Sequence, residues 1–132
     1  MNYILGKWYI SKNKNFDDFL KFTHVPWYQR KIAEHSNIDI EIQKLAPNKF
    51  TRIVNSLFYN NQENIVINNE FHKHDKVRKK YTISNGMIIV NIKGSRVNWT
   101  EKIYYEAPYL VVEYTWKGRY QYEWAKQYFL RY

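Results

Sequence analysis

The chain has 132 residues, enough for one domain with its own core, and no cysteine, so disulfides, thiolate nucleophiles and cysteine metal sites are excluded. Its 21 Lys and Arg against 12 Asp and Glu give a net charge of +9, which favours anionic partners such as nucleic acid, acidic lipid surfaces or carboxylate ligands. No apolar run approaches the ~20 residues of a membrane-spanning helix, and no basic stretch followed by an apolar run marks a leader; one soluble domain over residues 1–132 is expected, cytoplasmic and with the nucleus also open.

Trp8 and Ile10 alternate with Lys7, Tyr9 and Ser11, the period-2 pattern of a strand. Phe16, Phe19 and Leu20 then fall at i, i+3 and i+4, one apolar stripe of a short helix over Phe16–Phe22. Asn15 suits its cap, and Asp17 and Asp18 suit the positive end of its dipole. Pro26 stands where a second helix can start, and that helix is predicted over Trp27–Ala33. Everything afterwards reads as strand. Ile38, Ile40 and Ile42 alternate with Asp39, Glu41 and Gln43. A strand over Phe50–Phe58 follows a turn at Ala46-Pro47-Asn48, Asn60-Asn61 is read as a further turn, and Asn64–Ile67 as a strand. Lys79–Ile83 and Met87–Ile92 flank Ser84-Asn85-Gly86, a strong hairpin signal because Asn and Gly tolerate positive φ. Val97–Tyr105, Leu110–Trp116 and a last strand towards Tyr132 complete about ten short segments joined by tight turns, the pattern of an antiparallel sandwich or barrel. In a closed barrel the two helices cap the open end, with Phe16, Phe19 and Leu20 facing its mouth.

Gly6-Lys7-Trp8, Asn15-Phe16-Asp17-Asp18-Phe19-Leu20-Lys21 and Arg30-Lys31-Ile32-Ala33 resemble, at matching spacing, the opening of the intracellular fatty acid-binding proteins. Ser56-Leu57-Phe58, Asn69-Glu70-Phe71, Lys79-Lys80-Tyr81-Thr82-Ile83 and Leu110-Val111-Val112-Glu113 extend the resemblance along essentially the whole chain. It implies an all-β fold: a ten-stranded antiparallel up-and-down barrel, or clam, with a helix–turn–helix lid and an interior that holds one or two small lipids. A fatty acid needs mostly apolar walls and a few fixed polar groups, among them a cation or hydroxyls for its carboxylate.

In that family an Arg-x-Tyr on the last strand and an Arg on an earlier one bind the carboxylate. Here an ungapped alignment puts the first motif on Glu123-Trp124-Ala125, where an acid would repel the ligand. With a short insertion in the preceding hairpin it falls on Lys126-Gln127-Tyr128. Strand alternation favours the second reading, with Tyr122, Trp124, Lys126 and Tyr128 inside and Gln121, Glu123, Ala125 and Gln127 outside. Lys126 and Tyr128 are therefore the expected head-group residues, Lys lacking the bidentate fork of Arg. The earlier Arg is replaced by Ile103, beside Lys102, and a further inner arginine corresponds to Arg78 or, ungapped, to Val77. The expected cavity wall is Phe16, Leu20, Ile40, Phe58, Val112 and Tyr114, with Ser56 and Asp75 as inner polar positions. Ligand is expected to pass between the second helix and the loops near Phe58 and His74.

His72-Lys73-His74 lacks a third metal ligand and reads as an exposed loop segment. Asp17 and Asp18 are adjacent on a helix and do not face one another. No nucleophile–base pair or glycine-rich phosphate loop is present. The expectation is a monomeric, non-enzymatic carrier of a long-chain fatty acid or similar hydrophobic molecule, with no cofactor. Lys21, Arg30 and Lys31 on the lid suit transient contact with anionic membranes, and Trp27 fits either core or interface. A retinoid, sterol or haem cargo in the same fold is one alternative. The other is a basic, aromatic-rich barrel that binds single-stranded nucleic acid, although nucleic acid is not the expected partner.

Overall fold

The computed structural model of the chain describes residues 2–56 and 59–132. After a 3-10 turn over Asn2–Ile4, strand β1 (Gly6–Lys14) leads into two short helices, α1 (Phe16–Phe22) and α2 (Trp27–Glu34). The remaining strands are β2 (Ile38–Ala46), β3 (Lys49–Ser56), β4 (Asn60–Val66), β5 (Phe71–His74), β6 (Val77–Ser84), β7 (Met87–Lys93), β8 (Asn98–Glu106), β9 (Tyr109–Lys117) and β10 (Tyr122–Arg131). They form one ten-stranded antiparallel sheet in the order β4-β3-β2-β1-β10-β9-β8-β7-β6-β5. The sheet curls round until Ile67, just past β4, bridges Tyr81 of β6. This is the predicted up-and-down clam with a helix–turn–helix lid.

Period-2 alternation decides which side chains face inward. Ile40 and Ile42 of β2, Phe50 of β3, Ile65 of β4 and Ile88, Val90 and Ile92 of β7 are all buried in one apolar cluster with Trp8, Ile103, Leu110, Val112 and Phe129. In β1 the register shifts between Ile10 and Lys12. The extra residue, Ser11, lets Trp8 and Ile10 face the core while Lys12 and Lys14 point outward beside Tyr128 and Lys126, the usual effect of a bulge.

Several local expectations change. Asn60-Asn61 begin β4 and pair with Asn55 and Val54 rather than turning. His72 and His74 belong to β5 and are half-buried, not an exposed loop: His72 Nε2 lies 3.0 Å from Asn68 Oδ1, and the His74 ring sits edge-on to Tyr81. Asn15 makes no side-chain cap. It adopts a left-handed φ of 56°, which Asn tolerates better than most residues, and its carbonyl accepts from Asp18 N and Phe19 N. Asn85 (φ 52°) and Gly86 (φ 75°) form the hairpin turn that their sequence specifies.

Candidate functional site

The inner faces of three strands show how the interior is layered. β8 presents Ile103, Glu101 and Trp99 in turn; β9, running the other way, presents Val112, Tyr114 and Trp116 beside them. β3 presents Phe50, Arg52 and Val54. Each strand therefore passes from an apolar floor, through a charged residue on β3 and β8 and a tyrosine on β9, towards the lid.

The charged positions meet across the barrel. Arg52 donates from Nε and Nη2 to Glu63 Oε1 on the paired strand, at 3.1 and 2.7 Å. Its Nη1 donates to Glu101 Oε1 on β8. Glu63 Oε2 accepts from Lys79 Nζ at 2.9 Å and from the Tyr81 hydroxyl. Arg52, Glu63 and Glu101 are each more than nine-tenths buried. Burial alone would raise the Glu63 carboxyl, but Arg52 and Lys79, with the Tyr81 hydrogen bond, hold it at about 2. Burial works against the Arg52 charge too; Glu101 and Glu63 outweigh it and keep the guanidinium protonated beyond its ordinary range. Burial, then the Glu63 carboxylate, push the Tyr81 hydroxyl up. Beside this network the Tyr114 hydroxyl donates to Gln127 Oε1 at 2.7 Å, and burial drives the Tyr114 hydroxyl well above its usual range.

The lid closes over an aromatic cluster. Phe19, 7% exposed, stacks on Tyr114 with ring centroids 4.3 Å apart and meets Trp99 and Trp116 at 5.6 Å each. Phe16 lies against Tyr114, and Leu20 and Phe22 complete the cluster. Aromatic pairs in these offset geometries add to the hydrophobic gain. Phe16, Phe19 and Leu20 thus face the barrel, and Ile40, Val112 and Tyr114 point inward from their strands. α2 buries no side chain; Arg30 anchors it, donating to Asp17 Oδ1 at 3.0 Å and to the Val25 carbonyl at 2.8 Å. Lys31 is exposed, and Lys21 stands 3.5 Å from Asp17. Trp27 (64% exposed), Tyr28 and Ile32 face outward, which resolves Trp27 as a surface residue. A cleft of about 490 Å³ opens between α1, the end of α2 and β1, with Ile10, Lys12, Phe16, Leu20, Arg30 and His35 in its wall.

The expected head-group residues face the wrong way. On β10 it is Ala125, Gln127 and Phe129 that are buried, and they pair with the inward Tyr114, Val112 and Leu110 of β9. Lys126 and Tyr128 lie on the outer face. Lys126 Nζ stands 5.5 Å from the Trp124 ring centroid, and Tyr128 packs edge-on against Tyr109 beneath Lys12 and Lys14. The physical reason is that aromatic and lysine side chains satisfy one another on the outside through cation–π contacts. The inner face needs a small Ala and an amide that can answer Tyr114. Arg78 is likewise outward, over the Phe71 ring with Lys80 and Lys93, while its neighbours Val77 and Lys79 face inward. Asp75 is exposed at left-handed φ in the β5–β6 turn and is not an inner polar residue. Ser56, at the end of β3, bonds Tyr59 N and O through its hydroxyl at 3.0 Å. Phe58 lies outside the described residues.

The residues missed are Arg52, Glu63, Glu101 and Gln127. For the three charged residues the signal is a charge interrupting an apolar inner face: Phe50-x-Arg52-x-Val54, Glu63-x-Ile65 and Trp99-x-Glu101-x-Ile103.

No protein-family model and no curated protein sequence matches the chain. Solved structures do. The fatty acid transporter REP1-NXSQ superposes with a TM-score of 0.87 at 17% identity, covering 100% of this chain and 98% of the other. Lipid binding protein 8 of Caenorhabditis elegans gives 0.86 at 21% identity, over 100% and 97%. The Schistosoma mansoni fatty acid-binding protein, solved with arachidonic acid, gives 0.86 at 18% identity, over 100% and 98%. The fold is that of the fatty acid-binding proteins.

Proposed function

We propose that the protein is a non-enzymatic carrier that encloses one small hydrophobic molecule, a long-chain fatty acid or a similar lipid, inside the barrel and beneath the α1–α2 lid. The observation that carries this reading is the set of polar groups among the apolar residues of the inner face: the buried Arg52, Glu63, Glu101 and Gln127 and the half-buried Tyr114. Folding gains little from such groups, since a well-packed apolar core of equal volume is often as stable or more so. A binding cavity needs a few fixed polar groups among apolar walls. The shared fold with lipid-binding proteins supports the same reading.

The carrier acts as a cytoplasmic monomer, with the nucleus also accessible. Lys21 and Lys31, together with the exposed Trp27, Tyr28 and Ile32, give the lid an interfacial character suited to transient contact with anionic membranes. Arg30 contributes less, being engaged with Asp17 and Val25. Native mass spectrometry of the purified protein, followed by extraction and identification of co-purified lipid, tests the reading. A stoichiometric lipid adduct is expected. A protein that never acquires one, even after incubation with mixed lipid extracts, would refute it.

A further inference from the structure

We propose that the interior selects lipids whose polar end is uncharged and accepts hydrogen bonds, such as a long-chain alcohol or ester, over free fatty acids. The inference rests on the carrier reading above and narrows it. Arg52 is the buried arginine of the interior, and it is already taken: Nε and Nη2 serve Glu63, and Nη1 serves Glu101. A ligand carboxylate needs a cation free to answer it, because an unpaired buried charge is very costly.

The charge balance makes the same point. Arg52 and Lys79 carry two positive charges, and Glu63 and Glu101 carry two negative ones. The network is therefore neutral as it stands, and a carboxylate brought beside it adds an unmatched negative charge. Glu63 cannot give way by taking up a proton near neutral pH, held as it is by Arg52, Lys79 and Tyr81.

What the interior offers a ligand is neutral hydrogen bonding. The buried indole N–H of Trp99 has no acceptor among the described residues, and it stands on the inner face two positions from Glu101, under Phe19 of the lid. A buried donor without a partner is destabilising unless something fills the role. An alcohol or ester oxygen supplies that acceptor without adding charge. Gln127, 4% exposed, accepts the Tyr114 hydroxyl's hydrogen bond on Oε1, and its amide is a further neutral polar group on the same inner face.

Equilibrium binding of radiolabelled palmitate, hexadecan-1-ol and methyl palmitate to the full-length protein at pH 7.4 tests the proposal. Hexadecanol and the ester are expected to bind at least tenfold more tightly than palmitate. Equal or tighter binding of palmitate overturns the preference while leaving the carrier reading intact. Binding of none of the three overturns both. Glu101→Gln removes one negative charge with little change in volume, and should raise palmitate affinity at least tenfold relative to hexadecanol; no relative gain for palmitate counts against the charge argument. Trp99→Phe keeps a ring beneath Phe19 and removes the donor, so hexadecanol should lose about fivefold or more. An unchanged affinity removes Trp99 from the site.

Discussion

Arg52 joins two carboxylates from strands on different sides of the barrel, so deleting it leaves both uncompensated. Arg52→Leu should cost about 3–5 kcal/mol, the range for breaking a buried ion pair from one side, read from urea unfolding midpoints at constant slope. A loss under 1 kcal/mol would mean that water reaches the carboxylates freely. Glu63 gives the network its pH dependence. Its folded pKa of about 2 lies below the model-peptide value of 4.5, so its contribution is fully present above about pH 5 and disappears as pH falls through 2. The difference corresponds to about 3 kcal/mol. Thermal melts from pH 6 to pH 2 should show stability falling across that window, and Glu63→Gln should flatten the fall. A variant that declines as steeply as the parent would locate the acid sensitivity elsewhere.

At the scale of elements, the lid is held unevenly. α1 is seated by Phe19 among Tyr114, Trp99 and Trp116, whereas α2 buries no side chain and depends on Arg30. Arg30→Ala should release α2 locally. Amide exchange over residues 26–35 should accelerate by about tenfold or more, since charge-assisted hydrogen bonds are worth roughly 1.5–3 kcal/mol, with the strands unchanged. Exchange confined to its parental rate would show that backbone packing alone seats the helix. On the outer surface, Lys73, Arg78 and Lys93 stand directly opposite one another across β5, β6 and β7. None of the three forms an ion pair among the described residues. Like charges so placed are destabilising. Arg78→Glu should therefore raise stability by about 0.5–1 kcal/mol at low salt, and the gain should shrink at high ionic strength. Lipid affinity should not change, since Arg78 faces away from the interior.

For the whole molecule, the barrel, lid and most strand limits were legible, because they follow from local rules. The Phe16/Phe19/Leu20 stripe, the Ile38/Ile40/Ile42 alternation and the Asn85-Gly86 turn each specify their element without reference to the rest of the chain. The inward polar residues were not, because their assignment depends on which parity of a strand faces inward. On β10 the choice lay between Tyr122, Trp124, Lys126 and Tyr128 and the alternate set Gln121, Glu123, Ala125 and Gln127. Aromatic content pointed to the first set, but register against Tyr114 and Val112 of β9 requires the second. Arg52 was overlooked because one partner, Glu101, is distant in sequence and meets it only when the sheet closes, while the other, Glu63, sits opposite it only in the particular register of β3 against β4.

The place of β10 in the sheet also governs how the chain is made. Strands β1 to β4 form one half and β5 to β9 the other, and they are joined through the contact of β1 with β10. On the ribosome, the first half emerges early with the backbone of Trp8, Tyr9 and Ile10 unmatched on one side, and the second half emerges with β9 equally bare. Neither half can complete its ladder until residues 122–131 leave the exit tunnel. Nascent chains stalled before that point should be cut readily by protease and engage chaperones, and protection should arrive in one step with the final strand.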